Sequence, residues 1–441
     1  MSPKRPINAD VPAPEDKEPD KAPAPKEKPP RQPKSQTPKL LGALVLLALV
    51  FIVAAIVGST GGGGPDEGGS SQGGRSSAQA PPDEAEAPAP TAEGLPFPSL
   101  ATNNTTRIGG PDPAANAAGA ALAVFPSTTP SQRPAAVTLV DEDDPRAIAA
   151  AVLMAPPIRA PILFKQDGEL PEDSAEALEA MAPTGSDATD GAGLLSIGAT
   201  DREDFPEIDK VQIVLGARPT PYGSASAIAR VREEAAGPPK HFVIAPVDAP
   251  EFAAPAAAWA ARSGDPVLFT EAKSLPPETA GVLQGHPKVP VYVLGPEAVI
   301  DKGVFKEISK ISKRVKRVAG KDPVANAIAF ARYRDGSFGW NVNDPGHGFV
   351  LARSDSPADA VGAAPLSASG TWGPLLLTDD AATLPAALRS YLLDVKPGYT
   401  TDPTRAFYNH VWLIGDQEAI SVSQQAEVNE LAELAKIGGG E

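Results

Sequence analysis

The chain has 441 residues, a formal net charge of −16 at pH 7, 5% aromatic residues and no cysteine. The missing cysteines exclude disulfide bonds, thiolate metal sites and a thiol nucleophile. The acidic balance and the few aromatic residues argue against a nucleic-acid partner, which would need basic patches or stacking platforms.

The first hundred residues carry no periodic hydrophobic pattern, apart from one apolar run. Residues 1–39 are rich in Pro and Lys, and residues 59–100 are rich in Gly, Pro and Ala. Segments of such composition bury too little apolar surface to offset the entropy of ordering. We therefore predict a disordered tail over residues 1–39 and a disordered linker over residues 59–100.

The apolar run from Leu40 to Gly58 has the length of a transmembrane helix. It contains no charged residue, and as a helix it would span about 28 Å, close to the thickness of a bilayer core. Lys34 and Lys39 belong to a cluster of basic residues before the run, whereas Arg75 is the one basic residue shortly after it. Because positive charge stays in the cytoplasm, we predict a single-pass anchor with a cytoplasmic N-terminus and an extracellular remainder, and not a cleaved signal peptide.

The remaining sequence contains landmarks that recur three times in one order. Apolar runs ending in Asp-x-Pro (136–145, 242–250 and 349–357) precede runs at Pro161, Pro266 and Pro374, Leu-Pro pairs at 170–171, 275–276 and 384–385, and the runs VQIVLG (211–216), VYVLG (291–295) and VWLIG (411–415). Continuous apolar runs are typical of parallel strands buried on both faces, and the Ala-rich segments between them favour helices. We predict three α/β repeats, over residues 101–217, 218–317 and 318–441.

One phrase occurs twice, as GPDPAANAAGAA from Gly110 to Ala121 and as GKDPVANAIAFA from Gly320 to Ala331. Asp is a favoured N-cap and Pro is favoured in the first helical turn. The phrase therefore predicts the start of a helix at the junction between repeats, in preference to a ligand-binding sequence.

The third repeat resembles the cell wall-binding repeat 2 family of bacterial surface proteins. The resemblance is carried by RVAGKDPVANAIAFA, FVLARSDSPADAVGAAPLSASGTWGPLLLTDDAATLP and VWLIGDQEAIS, and it extends in three tandem copies over about residues 106 to 435. It implies Rossmann-like or flavodoxin-like repeats with parallel sheets, packed with pseudo-threefold symmetry, that bind anionic wall polymers. The family's helix aspartate is matched by Asp359, and Ala147 and Phe252 take its place in the other copies. The first copy carries an insert, TGSDATDGAGLLSIGATDREDFPEI, before its last strand.

No catalytic motif is present: we find no P-loop, no H-E-x-x-H and no G-x-S-x-G, and the four histidines are scattered. We predict no catalytic residue, no metal and no cofactor. Asp143, Asp248 and Asp355 follow predicted strands, where parallel sheets place their ligands. They are candidates either for a cation site or, the interpretation we favour, for capping of solvated loops.

The segment from Asp301 to Lys321 combines an apolar stripe with a basic ridge. Val304, Phe305, Ile308, Ile311 and Val315 form the stripe, and Lys302, Lys306, Lys310, Lys313 and Arg317 recur on another face at helical spacing. The ridge is a candidate polymer-binding surface or a solvated helix face.

These patterns predict a membrane-anchored, non-catalytic envelope protein whose repeats bind a wall component, such as an anionic polymer. Two alternatives stay open, namely a scaffold that binds an envelope protein and a degenerate enzyme.

Overall fold

Apolar runs form strands and Ala-rich segments form helices in the computed structural model, which describes residues 100–198, 205, 207–214, 218–370 and 372–437. The predicted tail (1–39), the predicted anchor (Leu40 to Gly58) and all but the last residue of the predicted linker lie outside these ranges. Within them, no helix is both long enough and apolar enough to cross a bilayer.

The strands are β1 (Leu100–Ala101), β2 (Thr105–Ile108), β3 (Val137–Asp141), β4 (Ile162–Lys165), β5 (Leu194–Ile197), β6 (Val211–Val214), β7 (Phe242–Pro246), β8 (Val267–Thr270), β9 (Val291–Leu294), β10 (Val315–Val318), β11 (Gly348–Arg353), β12 (Leu375–Thr378), β13 (Gly398–Tyr399), β14 (His410–Ile414) and β15 (Ala435–Lys436). The α-helices are α1 (Pro113–Val124), α2 (Arg146–Ala150), α3 (Glu172–Met181), α4 (Pro221–Ala236), α5 (Pro250–Ala253), α6 (Pro255–Ser263), α7 (Pro277–Gly285), α8 (Lys302–Ile311), α9 (Pro323–Arg332), α10 (Pro357–Gly362), α11 (Ala364–Ala368), α12 (Ala386–Asp394) and α13 (Val422–Ala432).

Three sheets of the described chain share one strand order. The orders are β4-β3-β5-β6, β8-β7-β9-β10 and β12-β11-β14-β2, and the strands within each are parallel. Strand β1 adds to the third sheet as an antiparallel neighbour of β2, and β13 pairs separately with β15. The predicted α/β class with parallel sheets is therefore confirmed.

The fourth strand of each sheet lies close to, or beyond, a predicted repeat boundary. Strand β10 spans the boundary at residue 317, yet it pairs with β9 of the preceding repeat. Strand β2 stands at the start of the first repeat and pairs with β14 near the end of the third, with Thr105 opposite Val411. The described chain thus closes on itself, because its N-terminal strand completes its C-terminal sheet.

One predicted correspondence between the repeats is wrong. The sequence pattern matches the run at 211–216 to the third strands β9 and β14, but its strand β6 occupies the fourth position of the first sheet. The third position belongs to β5, which lies within the predicted insert. Gly198, Gly295 and Gly415 follow β5, β9 and β14 with φ of 110°, 121° and 102°, a region that favours glycine. Both runs are apolar and precede a glycine, so only strand pairing distinguishes them.

Small side chains form the centre of the molecule. Helix α6 contacts α11 and the 3-10 turn Ala151–Met154, and its residues Ala256, Ala257, Ala258, Ala260 and Ala261 are almost fully buried. Helices α1, α4 and α9 each follow a fourth strand and pack on the edge strand of the next sheet, namely β4, β8 and β12. Each of these helices therefore joins two sheets.

The repeated phrase begins two of the joining helices, as predicted. Asp112 and Asp322 cap α1 and α9, accepting bonds from the N–H groups of Ala115 (2.9 Å) and Ala325 (2.7 Å). The asparagine of the phrase also stabilises the start of each helix, which the sequence pattern did not predict. The side-chain oxygens of Asn116 and Asn326 accept from Gly110 N at 2.8 Å and Gly320 N at 3.1 Å, and so hold the entry loop against each helix.

Candidate binding surfaces

The predicted basic ridge is only partly a helix face. Lys302, Lys306 and Lys310 are exposed on α8, and Val304 and Ile308 are buried on its opposite side. Lys302 also lies 3.1 Å from the carboxylate of Glu297. The three lysines therefore form a basic surface about two helical turns in length, hereafter the lysine face.

The prediction that the basic ridge runs along one helix face as far as Arg317 is wrong. Helix α8 ends at Ile311, because Ser312 has extended backbone and its buried hydroxyl donates to Val289 O at 3.0 Å. Lys313 follows in the connecting turn, and Arg317 lies on β10. The basic residues keep their helical spacing beyond Ile311, although the chain there leaves the helix and forms β10.

Arg317 belongs to a structural device that recurs at Arg107. Arg317 donates to the carbonyls of Gly295 (2.6 Å) and Ile300 (2.8 Å), which belong to the loop after β9. Arg107, 1% exposed, donates to Gln425 Oε1 (3.0 Å), Gly415 O (2.7 Å), Asp416 O (2.6 Å) and Ile420 O (2.6 Å). Each arginine fastens the loop after a third strand to the neighbouring fourth strand.

Asp143, Asp248 and Asp355, which follow β3, β7 and β11, are all exposed. Arg353 holds Asp355 through two bonds of 2.9 and 2.6 Å, and this pairing lowers the pKa of the Asp355 carboxyl. Asp143 and Asp355 line one cleft of about 350 Å³, whereas Asp248 is not part of its lining. Among the described residues, no group of three His, Cys, Asp or Glu side chains is placed to bind a metal ion.

The cleft at these strand ends is acidic. Burial raises the pKa of Glu142, and the nearby carboxylates of Asp143, Asp112 and Asp359 raise it further. The carboxylates of Glu142, Asp143 and Asp355 that line this cleft would repel a polyanion entering it. The strand ends are therefore poorly suited to a negatively charged polymer.

Asp359 is the buried member of this acidic group, and it joins two repeats. It is 7% exposed and accepts bonds from Asn116 Nδ2 (2.8 Å) and Ser356 Oγ (2.6 Å). Burial raises the pKa of its carboxyl, although the two hydrogen bonds act in the opposite direction. The aspartate that the resemblance singled out thus contacts the asparagine of the repeated phrase.

Replacing Asp359 by asparagine should remove a loss of folding stability that depends on pH. A carboxyl with a raised folded-state pKa keeps its proton on folding while the unfolded chain has lost it, so stability falls as pH rises through that window. An asparagine side chain at this position stays neutral; its Oδ1 can accept from Asn116 Nδ2, and its Nδ2 can donate to Ser356 Oγ in place of accepting from it. Asp359→Asn should therefore match the parent below the ordinary aspartate pKa of 3.8 and be more stable at pH 7. Urea midpoints measured across this range would contradict the assignment if the two curves ran parallel.

A second cleft, of about 340 Å³, contains three of the four tryptophans. Trp259, Trp340 and Trp372 line it together with Lys240 and Arg262. Trp340 and Trp372 are nearly parallel, with 25° between their planes and 6.4 Å between their centroids, and Trp259 meets Trp340 edge-on at 5.4 Å. We call this feature the tryptophan cleft.

A hydrogen-bonded pair beneath the tryptophan cleft fixes its floor. Asp265, 2% exposed, accepts from Trp259 Nε1 at 2.9 Å and pairs with His241 Nδ1 at 2.9 Å. His241 Nε2 lies 3.2 Å from the hydroxyl of Ser337. Sequence reasoning missed this cleft, because packing alone brings its two halves together from segments that are far apart in the chain.

Residues 317–425 match the family model described as cell wall binding domain 2 (CWB2). The resemblance inferred from the sequence is thereby confirmed for this part of the chain. Similar solved structures include Cwp8 from Clostridium difficile (TM-score 0.58, 19% identity, 75% of this chain and 52% of that one) and Cwp6 from Clostridium difficile (TM-score 0.59, 16% identity, 75% and 48%). The chain spans about half the length of these two proteins, and identities this low show a common fold alone. No curated protein sequence matches the chain.

Proposed function

We propose that the chain is a non-catalytic bacterial envelope protein that binds an anionic polymer of the cell wall. The observation that carries the proposal is the match of residues 317–425 to a cell wall binding domain. The shared strand order of the three sheets supports the further proposal that residues 101–217 and 218–317 are divergent copies of the same repeat. The charge-free run from Leu40 to Gly58 supports anchoring in the membrane, with the repeats outside.

The lysine face is the surface that we assign to the polymer. Lys306 and Lys310 project from α8 without an ion-pair partner among the described residues, and Lys302 meets Glu297 in water, where such a pair is weak. The chain is otherwise acidic, so a polyanion is attracted only where cations are concentrated locally. At physiological salt the screening length is about 8 Å, which lets this face act while distant carboxylates are screened.

Reversing the charge of the lysine face should strongly weaken binding to the wall. In the full chain, Lys302, Lys306 and Lys310 changed together to Glu should reduce co-sedimentation with purified cell walls by about tenfold, because attraction becomes repulsion. Binding by the parent should weaken at very low salt, pass through an optimum and fall again at high salt. Removing the anionic polymers from the walls should have the effect of the triple variant.

A matched control separates local from net charge. Lys273, Lys288 and Lys321 are exposed and lie in loops away from α8, so changing these three to Glu alters the net charge equally. This control should sediment like the parent. If both triple variants bind as the parent does, the lysine face is only solvated; if the parent pulls down one protein and ignores the walls, the chain is a scaffold.

A further inference from the structure

The rim of the tryptophan cleft offers hydrogen-bond donors almost exclusively. The acceptors at its floor, Asp265 and His241, are already engaged with one another, with Trp259 and with Ser337. Ser263 accepts from Asp265 N at 3.0 Å, which leaves its hydroxyl proton free to donate. A molecule entering this cleft therefore needs acceptors, and it gains little from donors of its own.

Two cations stand at this rim, and the one carboxylate that lines the cleft, Asp265, is bonded to His241 and Trp259 and not to either of them. Lys240 and Arg262 are exposed, and neither forms an ion pair within the described part of the chain. The guanidinium of Arg262 lies 4.3 Å from the centroid of the Trp372 ring. A guanidinium held against an aromatic ring can still donate from its N–H groups, and its planar fork suits a carboxylate or phosphate.

The aromatic walls add a flat apolar surface next to these cations. Trp372 keeps 40% of its surface exposed, which is unusual for tryptophan, whereas Trp340, which lies nearly parallel to it, is only 7% exposed. The edge-on contact of Trp259 with Trp340 and the bond from Trp259 to Asp265 hold this wall in place. An indole face is electron-rich, so it attracts the weakly positive C–H groups of a saturated ring.

We propose that the tryptophan cleft binds an acidic sugar, with the C–H face of the ring on the exposed indole of Trp372 and the anionic group held by Arg262 and Lys240. A sugar ring combines an apolar face with a rim of acceptor oxygens, and an acidic substituent supplies the charge that the two cations lack. A neutral sugar would leave Arg262 unpaired, and an anion without a ring would leave the indoles unused. The inference rests on the proposed function and narrows its ligand class, but it places that ligand on a surface separate from the lysine face.

The test uses fluorine NMR on the full chain labelled with 5-fluorotryptophan, which gives one resonance for each of its four tryptophans. The probes are oligomers of glucuronic acid, oligomers of glucose of equal length, and inorganic phosphate. Glucuronate oligomers should shift the resonances of Trp372 and Trp340 and leave that of Trp412, which is outside the cleft, unchanged. Glucose oligomers and phosphate should each bind about tenfold more weakly, because each satisfies half of the site.

Two variants assign the two halves of the cleft. Trp372→Ala should weaken glucuronate binding by about tenfold or more, because the stacking surface is lost, whereas Phe407→Ala, which removes an exposed aromatic elsewhere, should not change it. Arg262→Gln should remove the preference for glucuronate over glucose, and an unchanged urea midpoint would show that it folds. The inference is overturned if glucuronate leaves the Trp372 and Trp340 resonances unmoved, if glucose or phosphate binds equally well, or if Trp372→Ala binds like the parent.

The two surfaces can fail independently. Sedimentation with whole walls, compared between the parent and the triple variant of the lysine face, reports on the proposed function. Fluorine NMR with soluble sugars reports on the cleft alone. Wall binding that disappears with the lysine face while the cleft resonances never move would keep the proposed function and overturn this inference.

Discussion

Arg107→Met is expected to lower the free energy of unfolding by about 4 kcal/mol, the largest effect of any single change considered. The substitution leaves the carbonyls of Gly415 and Ile420 and the side-chain oxygen of Gln425 without a donor around a buried side chain, whereas the carbonyl of Asp416 keeps the N–H of Ile420. The damage should fall on the opposite end of the sequence, since the orphaned groups belong to residues 415–425. Urea unfolding followed by fluorescence measures the loss.

Two further variants test whether the effect of Arg107→Met is specific to its hydrogen bonds. Arg133 is exposed, and its side chain forms no hydrogen bond or ion pair among the described residues, so Arg133→Met should leave the urea midpoint unchanged. Arg107→Lys retains the charge but cannot reach all four acceptors, because a lysine has one ammonium in place of a planar fork. It should fall between the parent and Arg107→Met. Equal stability of the two methionine variants would show that the network contributes nothing.

Gly320→Ala should cost about 3 kcal/mol, because the helix leaves no room for a methyl group at this position. A Cβ built on Gly320 would lie 2.1–2.4 Å from the backbone of Ala325 and Asn326. The clash is with backbone, which cannot rotate away, and the bond from Gly320 N to Asn326 would be lost. Thermal unfolding of the variant measures the cost.

Gly281→Ala should raise the stability of the protein, although the chemical change is the same as in Gly320→Ala. Gly281 lies inside α7, is exposed, and has no heavy atom within 4 Å of the point that a methyl group would occupy. Alanine there should stabilise by about 0.5–1 kcal/mol, because glycine loses more backbone entropy in a helix. If both alanines destabilise equally, the close approach at Gly320 is not what makes its glycine necessary.

Local signals in the sequence predict the local structure well. Asp322-Pro323 marks a helix start, and the apolar run at 242–250 marks a buried parallel strand, because capping and burial depend on adjacent residues. The predicted end of α8 is too late, since basic residues continue at helical spacing beyond Ser312. There the buried hydroxyl and the β-branched Val315 and Val318 decide in favour of a strand.

Features that depend on contacts between distant segments could not be predicted. Nothing near Thr105 indicates that its strand will pair with Val411, and nothing near Trp372 indicates Arg262 as its neighbour. The third strand of the first repeat is misassigned for the same reason, since β5 and β6 are both acceptable strands and only their place in the sheet tells them apart. The lysine face could be found because its three members lie on one helix.

The pairing of β2 with β14 distinguishes this molecule from an open array of repeats. In an open array, the inner units have a neighbour on both sides and the two end units have one on a single side. Modules can therefore be gained or lost at the ends one at a time. Here the third sheet takes its fourth strand, β2, from the start of the described chain. Losing one sheet with its helices would leave a neighbouring strand without its partner and would remove contacts made by two of the helices that join the sheets. Closure of this kind favours change in the loops and side chains that each sheet presents over the gain or loss of a whole sheet.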